Sequence, residues 1–338
     1  MANFVNSSKT DFGSRLLHPG WDKRARFELR SRPLFRQFVT ERIEDPTNRS
    51  NVFYMPVHRY REVAENRHLV DEVVAADQVE APASYYVRLQ IHERGDAVGR
   101  TTFVDDVTYI PVDPVLAEQG AKHMGDTMDE LVADVLYDGS QVRSNGSGTS
   151  DTNVPFTQLV SANADGTADF GYTEGGRSSL DGSNTLTARV TAKVRARLQN
   201  ASVTPWTGED FIGLMNPDVA VDFMHDTGSI GWQEPHKRVD TSNLYSGSIG
   251  RYLGVEWVVN PRARILDSEG AGGANVAQTL IFGRDILGEH VVREPGFGLS
   301  PTLDTYNRHR IVHWYGTLGH CVVRQEPLWR IEHGISEG

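Results

Sequence analysis

One long amphipathic stretch, Asp113–Asp138, constrains the fold of this chain more than any other feature. Asp113 is a favourable N-cap residue, Pro114 suits the first helical turn, and Gly139 is typical of a helix C-terminus. Apolar residues recur every three or four positions, as they do along one face of a helix: Leu116, Ala121, Met124, Met128, Leu131, Val132, Val135 and Leu136. The pattern predicts a single helix about 39 Å long.

Two glycines, Gly120 and Gly125, lie inside this predicted helix. Each costs about 1 kcal/mol relative to alanine in a helix interior. A helix that keeps both must be held by packing. We therefore expect a strand or loop to pass close to at least one of them.

The composition allows a sizeable core and gives no sign of a membrane span. The chain has 338 residues, a formal net charge of -11 and 38% hydrophobic residues. No apolar run approaches the roughly 20 residues that cross a bilayer. The N-terminus has no apolar h-region, so we expect no signal peptide. The one cysteine, Cys321, cannot form an intrachain disulfide, and its apolar setting predicts a buried strand position.

The charge is distributed unevenly along the chain. Residues 1–40 carry eight basic and three acidic residues, a net charge of +5, which leaves −16 for the remainder. A basic arm on an acidic body can contact nucleic acid or the acidic face of another copy, and both alternatives stay open. The arm is expected to be extended, with a short helix near Leu34–Arg42.

Residues 51–89 contain two strand-forming runs around a charged middle. Pro56 and Pro82 argue against central strands, so the segment is expected to form a hairpin-like excursion. Such a lobe cannot bury both faces by itself and needs a partner surface. Alternation then continues through Tyr85–Val107, with a predicted break at Gly95-Asp96.

The remaining stretches predict a mixture of helices and strands, which places the chain in the α+β class. After the long helix we expect a surface loop at Gly139–Asp181, a helix at Asn184–Asn200 and a buried strand at Phe211–Met215. Asn216 caps the next predicted helix and Pro217 opens it, and turns are expected at Gly247, Gly250 and Gly254. The chain is then expected to form a strand from Val255, a strand at Thr279–Phe282 with a turn at Gly283–Asp285, and two strands within Ile311–Ile331.

No motif predicts a catalytic, cofactor or metal site. His309 and His313 have a spacing that holds zinc on a helix, but their segment has the pattern of a strand. No HExxH or CxxC motif occurs, and Cys321 alone cannot build a structural zinc site. Ser147 and Ser248 have glycine neighbours without the strand–turn–helix context of a hydrolase nucleophile.

Several motifs, taken in order, resemble one known family. They are VRLQIHERGDAV (87–98), the long helix stretch through Gly139 (113–139), NPDVAVDFMHD (216–226) with asparagine where the family has histidine, LYSGSIGRYLGVEWVVNPRA (244–263), QTLIFGRDILG (278–288) and YNRHRIVHWYG (306–316). The chain resembles the major capsid proteins of tailed bacteriophages with the Hong Kong 97-type fold, within the group that includes the coliphage N-four capsid protein.

The resemblance implies a domain plan and a function. The plan comprises an N-terminal arm (1–50), an extended loop (51–86), a peripheral domain with a spine helix (87–139), an axial domain (140–300) and a return to the peripheral domain (301–338). The implied function is self-assembly into hexamers and pentamers that form an icosahedral or prolate shell around double-stranded DNA. The alternatives are an encapsulin-like nanocompartment shell and, more remotely, a hydrolase.

The resemblance also implies the partners. These are other copies of the chain, a portal, a decoration protein and packaged DNA, with no membrane, in a virion assembled in the bacterial host cytoplasm. No lysine occurs in residues 51–89, so we expect no covalent cross-link through the extended loop. No fused scaffolding segment precedes the arm, which favours a separate scaffolding protein. Residues expected to form self-assembly contacts are Arg24, Arg26, Arg30, Tyr54, Arg59, Tyr60, Arg61, Tyr85, Tyr86, Arg251 and Tyr252.

Overall fold

The computed structural model describes residues 33–44, 50–58, 84–107, 112–144, 151–226, 231, 249–301, 306 and 308–336. The helices are α1 (Thr102–Val107), α2 (Val112–Asp138), α3 (Ala188–Asn200) and α4 (Pro217–Met224), with 3-10 turns at Phe35–Phe38, Glu174–Ser179 and Ala271–Gly273. The strands are β1 (Val39–Glu44), β2 (Val52–Val57), β3 (Tyr85–Gln90), β4 (His92–Thr101), β5 (Gln141–Ser144), β6 (Asp151–Val154), β7 (Leu159–Ala162), β8 (Ala168–Asp169), β9 (Phe211–Met215), β10 (Arg251–Tyr252), β11 (Val255–Val259), β12 (Ile265–Leu266), β13 (Val276–Phe282), β14 (Leu287–Leu299), β15 (His309–Val322) and β16 (Leu328–Gly334).

The chain divides into two compact units. The smaller unit contains residues 1–30, 95–124 and 295–315. The larger unit contains residues 31–94, 125–294 and 316–338, and it holds the central sheet. The five-part domain plan implied by the resemblance stays a prediction.

The core of the larger unit is built on both faces of one mixed sheet, with strand order β10-β11-β9-β13-β16-β7-β8 and β12 paired to β13. On one face α3 and α4 pack against alternate residues such as Phe211 and Ile281. On the other face the C-terminal half of α2 and the turn at Phe35–Phe38 pack against Leu214 and Leu280. Strands covered on both faces are mostly apolar, which is why β9 and the Thr279–Phe282 part of β13 were predictable.

The long helix predicted from the sequence is confirmed, with α2 running from Val112 to Asp138. Gly139 ends it with φ of +63°, a conformation that favours glycine. Val132 and Leu136, from its apolar stripe, are fully buried. The cap of α4 is also confirmed, because the Asn216 side chain accepts a hydrogen bond from the Asp218 N–H.

Strands β2 and β3 form an antiparallel hairpin in a sheet of order β2-β3-β5-β6. The hairpin register runs from Val52 opposite Gln90 to Val57 opposite Tyr85. Residues 59–83, which include Pro82, lie outside the described residues. Pro56 is on the edge strand β2, where a missing N–H costs no ladder hydrogen bond. A further sheet has the order β1-β14-β15-β4.

The prediction of a surface loop at Gly139–Asp181 is wrong. The segment contains β5 to β8, and β7 is buried at every residue in parallel pairing with β16. β6 reads DTNV and has no buried residue of its own. It forms because β5 offers a free antiparallel edge, so pairing rather than apolar patterning creates this strand.

Two smaller expectations also need correction. Gly95-Asp96 is not a turn, because β4 continues through it. A Cβ on Gly95 would lie 2.7 Å from the Trp314 carbonyl oxygen, so glycine permits a close approach there. Near Leu34–Arg42 only a 3-10 turn forms, because the β-branched Val39 and Thr40 begin strand β1 beside β14.

Candidate functional site

The hairpin β2–β3 buries one face and exposes the other. Met55, Val87 and Leu89 on the inner face pack against Cys321 and Val323 of the same chain. The inner face of the described base is therefore covered within the chain, and a partner surface for the rest of the excursion stays a prediction. What is left uncovered is the outer face, and that face is the candidate interface.

The outer face carries two of the tyrosines predicted to form assembly contacts. Tyr54 and Tyr86 are 37% and 38% exposed. They lie on neighbouring strands, with Tyr54 opposite Arg88 and Tyr86 opposite Pro56. Exposed tyrosines with a neighbouring arginine are typical of interface centres, because they supply area and hydrogen bonds at low entropic cost.

The other predicted contact residues are placed differently. The Tyr85 ring is buried on the inner face under the Arg143 guanidinium, 4.3 Å from its centroid. Tyr252 is buried against Phe223, whereas Arg251 is exposed and its Nε lies 3.2 Å from Asp210 Oδ2. Contacts by these residues stay predictions. The remaining predicted residues, Arg24, Arg26, Arg30, Arg59, Tyr60 and Arg61, lie outside the described residues.

The segment Leu34–Arg36, called the arm root here because the predicted N-terminal arm includes it, is anchored by Asp129 of α2. Its Oδ1 accepts hydrogen bonds from the backbone N–H groups of Leu34 (2.8 Å), Phe35 (2.5 Å) and Arg36 (3.2 Å). Its Oδ2 lies 3.5 Å from the Arg262 guanidinium. A buried carboxylate with four donors fixes the position of this segment on α2.

A second cluster ties the same root to β14 and β15. Glu289 is buried and pairs with Arg36 Nε at 3.0 Å, with Arg42 Nε at 3.6 Å and with His320 Nε2 at 3.2 Å. Burial alone would raise the pKa of Glu289, but the hydrogen bond from His320 and the charge of Arg36 hold it below its usual range. The carboxylate is therefore charged at neutral pH and holds β1 along β14.

Sequence reasoning missed a set of exposed apolar side chains in the smaller unit. They are Val98, Phe103, Val104, Val107, Phe297, Leu299 and Tyr306, with Phe103 71% and Tyr306 77% exposed. Large apolar groups left in water on one unit mark an interaction surface more often than a free surface. The clustering of Phe103, Val104 and Val107 within six residues was the available signal.

The residues considered for chemistry from the sequence have the following placement. No three His, Cys, Asp or Glu side chains in the described ranges lie close enough to hold a metal ion. His309 and His313 lie on strand β15, as predicted. Cys321 is buried, and that burial raises its thiol pKa to about 12, so it is not a nucleophile at neutral pH. Ser147 and Ser248 lie outside the described residues.

Glu332 is the most buried acid with several partners, and its hydrogen bonds indicate a structural role. It accepts hydrogen bonds from the Tyr172 hydroxyl (2.7 Å), Arg177 (2.7 and 2.8 Å) and the Gln278 amide (2.8 Å). Burial raises its pKa, but these donors outweigh burial and keep the pKa below its usual range. All its lone pairs face protein donors, which leaves no open position for a substrate.

Two depressions occur in the larger unit. One, of about 410 Å³, mixes opposite charges, including Arg88, Arg94, Asp134 and Asp138. The other, of about 380 Å³, lies beside α3 and is lined by basic and neutral residues. No helix in the described part of the chain is long and apolar enough to cross a bilayer.

The combination of a long helix, a central mixed sheet and a separate hairpin sheet is the α+β, Hong Kong 97-type capsid fold, and solved structures confirm this fold class. The capsid protein of cyanophage Pam1 matches with a TM-score of 0.74 and 17% identity over 100% of both chains. That of Ralstonia phage GP4 matches with a TM-score of 0.63 and 14% identity, covering 95% of this chain and 96% of that one. The capsid of Helicobacter pylori bacteriophage KHP30 gives 0.64 and 11% identity, covering 99% and 98%. No family model and no curated protein matches the sequence.

Proposed function

We propose that this chain is the major capsid protein of a tailed bacteriophage. It self-associates into hexamers and pentamers, and these close into a shell around double-stranded DNA. The observation that carries the proposal is the likeness of fold over 100% of the chain to a solved capsid protein. The ordered motif series in the sequence supports it independently.

The surface features agree with a protein that works by association. The tyrosines Tyr54 and Tyr86 of the hairpin and the apolar side chains of the smaller unit are exposed in the isolated chain. A specific interface buries about 1,200–2,000 Å² in total, and a subunit with several neighbours can exceed that through contacts that are individually modest. Modest contacts allow a wrongly placed subunit to leave, which closed assembly requires.

The proposal includes partners and a location. A separate scaffolding protein directs curvature, a portal occupies one vertex, and a decoration protein binds the outer surface. The product is a virion shell assembled in the bacterial cytoplasm. The chain acts as a structural protein without a cofactor.

Electron microscopy of the full-length chain, expressed alone and with its scaffolding protein, tests the proposal. We expect closed shells with five- and six-fold rings, and nuclease-protected DNA inside native particles. Shells that enclose an enzyme and no DNA would instead indicate an encapsulin-like compartment. Monomers under every condition would contradict both. A turnover abolished by one polar substitution, with assembly intact, would favour a hydrolase.

A further inference from the structure

Helix α3 presents a row of three cations to solvent. Arg189, Lys193 and Arg197 are exposed and four residues apart, so they lie on one helix face, one above another. At about 1.5 Å per residue the row is about 12 Å long. We refer to these three residues as the basic row.

The basic row is held rigidly because the opposite face of α3 is part of the core. Thr187 caps the helix, its hydroxyl accepting a hydrogen bond from the Val190 N–H. Fully buried residues of that face pack on the central sheet: Ala188, Val190, Val194 and Leu198. The spacing of the three charges is therefore set by the fold.

A shallow depression of about 380 Å³ runs beside the basic row. Its other wall comes from Thr167, Ala168 and Phe170, with Asn200 at one end, and no carboxylate lines it. The Arg197 guanidinium stacks on the Phe170 ring, 4.7 Å from the centroid, which keeps this cation in a defined position.

The charges of the basic row are available to an outside partner. In the described ranges, none of the three side chains forms an ion pair with a carboxylate. Asp165, an acid that interacts electrostatically with Arg189, accepts hydrogen bonds from the Thr167 hydroxyl at 2.6 Å and the Thr167 N–H at 2.9 Å. Those hydrogen bonds, with a smaller contribution from the charge of Arg189, hold the pKa of Asp165 below its usual range.

We propose that the basic row binds the phosphate backbone of duplex DNA. The inference rests on the proposed function, which supplies the DNA. A 12 Å row spans about three phosphates of one strand, which are spaced at about 3.4 Å along the helix axis. The depression has no open apolar pocket for a protein anchor, because Arg197 covers Phe170. Polar, positively charged surfaces are characteristic of DNA interfaces rather than protein interfaces.

Binding of a fluorescent 24-base-pair duplex to the full-length chain, followed by anisotropy at increasing salt, tests the proposal. The variant R189Q/K193Q/R197Q should bind at least tenfold more weakly, and the slope of log K against log salt should become shallower by about 2.7. The control R94Q/K122Q/R308Q removes the same charge from exposed residues elsewhere and should stay within twofold of the parent.

Three results would overturn the inference. They are parental affinity in the α3 variant, an equal loss in the control, and displacement of the duplex by polyglutamate at a lower charge concentration than by unlabelled DNA. The last result would assign the basic row to an acidic protein segment. Electron microscopy of the same variants separates this outcome from the larger proposal, because shells that form normally leave the capsid function intact.

Discussion

At the scale of residues, Asp129 holds the arm root Leu34–Arg36 against α2. One buried carboxylate serves three consecutive backbone N–H groups and faces Arg262, which also pairs with Asp126. Without it, one buried and two half-buried backbone N–H groups would lose their acceptor, and the Arg262 guanidinium would lose one of its carboxylate partners. Sequence pattern did not reveal this role, because Asp129 looks like one of several acids on the polar side of α2.

Asp129→Ala is expected to lower the free energy of unfolding by about 3 kcal/mol, since buried donors would be left unsatisfied. Urea unfolding of the parent and variant measures the difference. Glu118→Gln removes an exposed pair with Lys122 on the same helix and should cost less than about 0.5 kcal/mol. Equal stability of D129A and the parent would show that the arm root is held by other contacts.

His333 makes stability depend on pH. Its ring is 1% exposed, with Nδ1 donating to the Gly334 carbonyl oxygen and Nε2 accepting from the Thr279 hydroxyl, both at 2.9 Å. Burial lowers its pKa from 6.5 to about 4. Because the unfolded chain takes up this proton first, the stabilisation is complete above pH 6.5 and is lost as the pH falls towards 4.

The pH-dependent loss attributable to His333 should be about 3 kcal/mol between pH 6.5 and 4. Chemical unfolding of the parent and of His333→Gln across this range measures it, and the variant should have the flatter profile. His309→Gln, at an exposed position, should keep the parental slope. Parallel profiles for H333Q and the parent would contradict the assignment.

At the scale of elements, the two glycines of α2, Gly120 and Gly125, differ in how closely other side chains approach them. A Cβ on Gly120 would lie 2.5 Å from Phe297 Cζ on β14, which confirms the expected close approach of a strand. A Cβ on Gly125 would lie 3.7 Å from Pro33 Cγ, an ordinary contact. Of these two glycines, only Gly120 has a neighbour that an added methyl group would displace.

Gly125→Ala should stabilise the chain by about 1 kcal/mol, because alanine is the better helix former and the site has room. Gly120→Ala should give no such gain, since the Phe297 ring must move. Thermal and urea unfolding distinguish the two. In a Phe297→Ala background the gain at Gly120 should return, and its absence there would rule out the ring as the cause.

The elements predicted well are those whose own side chains determine them. The stripe of α2, the uniformly apolar β9 and the Asn216-Pro217 helix start each have a local signal. The formation of β5, β6 and the continuous β4 depends on which strand pairs with each of them. The local sequence pattern does not predict that pairing. The candidate interface was found only in part for the same reason: Tyr54 and Tyr86 were identified, but the inward direction of Tyr85 follows from strand register.

At the scale of the whole molecule, the hairpin's outer face should matter for assembly and little for folding. Tyr54→Ser with Tyr86→Ser should reduce the yield of closed particles at least tenfold, while the free energy of unfolding changes by about 1 kcal/mol or less, the scale of two cross-strand pairs. Electron microscopy and sedimentation count the particles, and urea unfolding measures the fold.

The matched control is Tyr54→Phe with Tyr86→Phe, which keeps both rings and removes only the hydroxyls. If ring area drives contact, this control should assemble at close to the parental yield. Parental yield in the serine variant would exclude the outer face from the interface. Loss of yield in both variants would assign the contact to the hydroxyl groups.

The burial of Cys321 has a practical consequence for chemical labelling of the chain. Its sulfur lies 3.8 Å from the Met55 sulfur inside the hairpin core, and its pKa of about 12 leaves almost no thiolate at pH 7. A single cysteine introduced at exposed Phe103 or Tyr306 would then be the only site that a maleimide dye modifies rapidly. Because Cys321 reacts slowly, it does not need to be replaced before one label is placed on each chain.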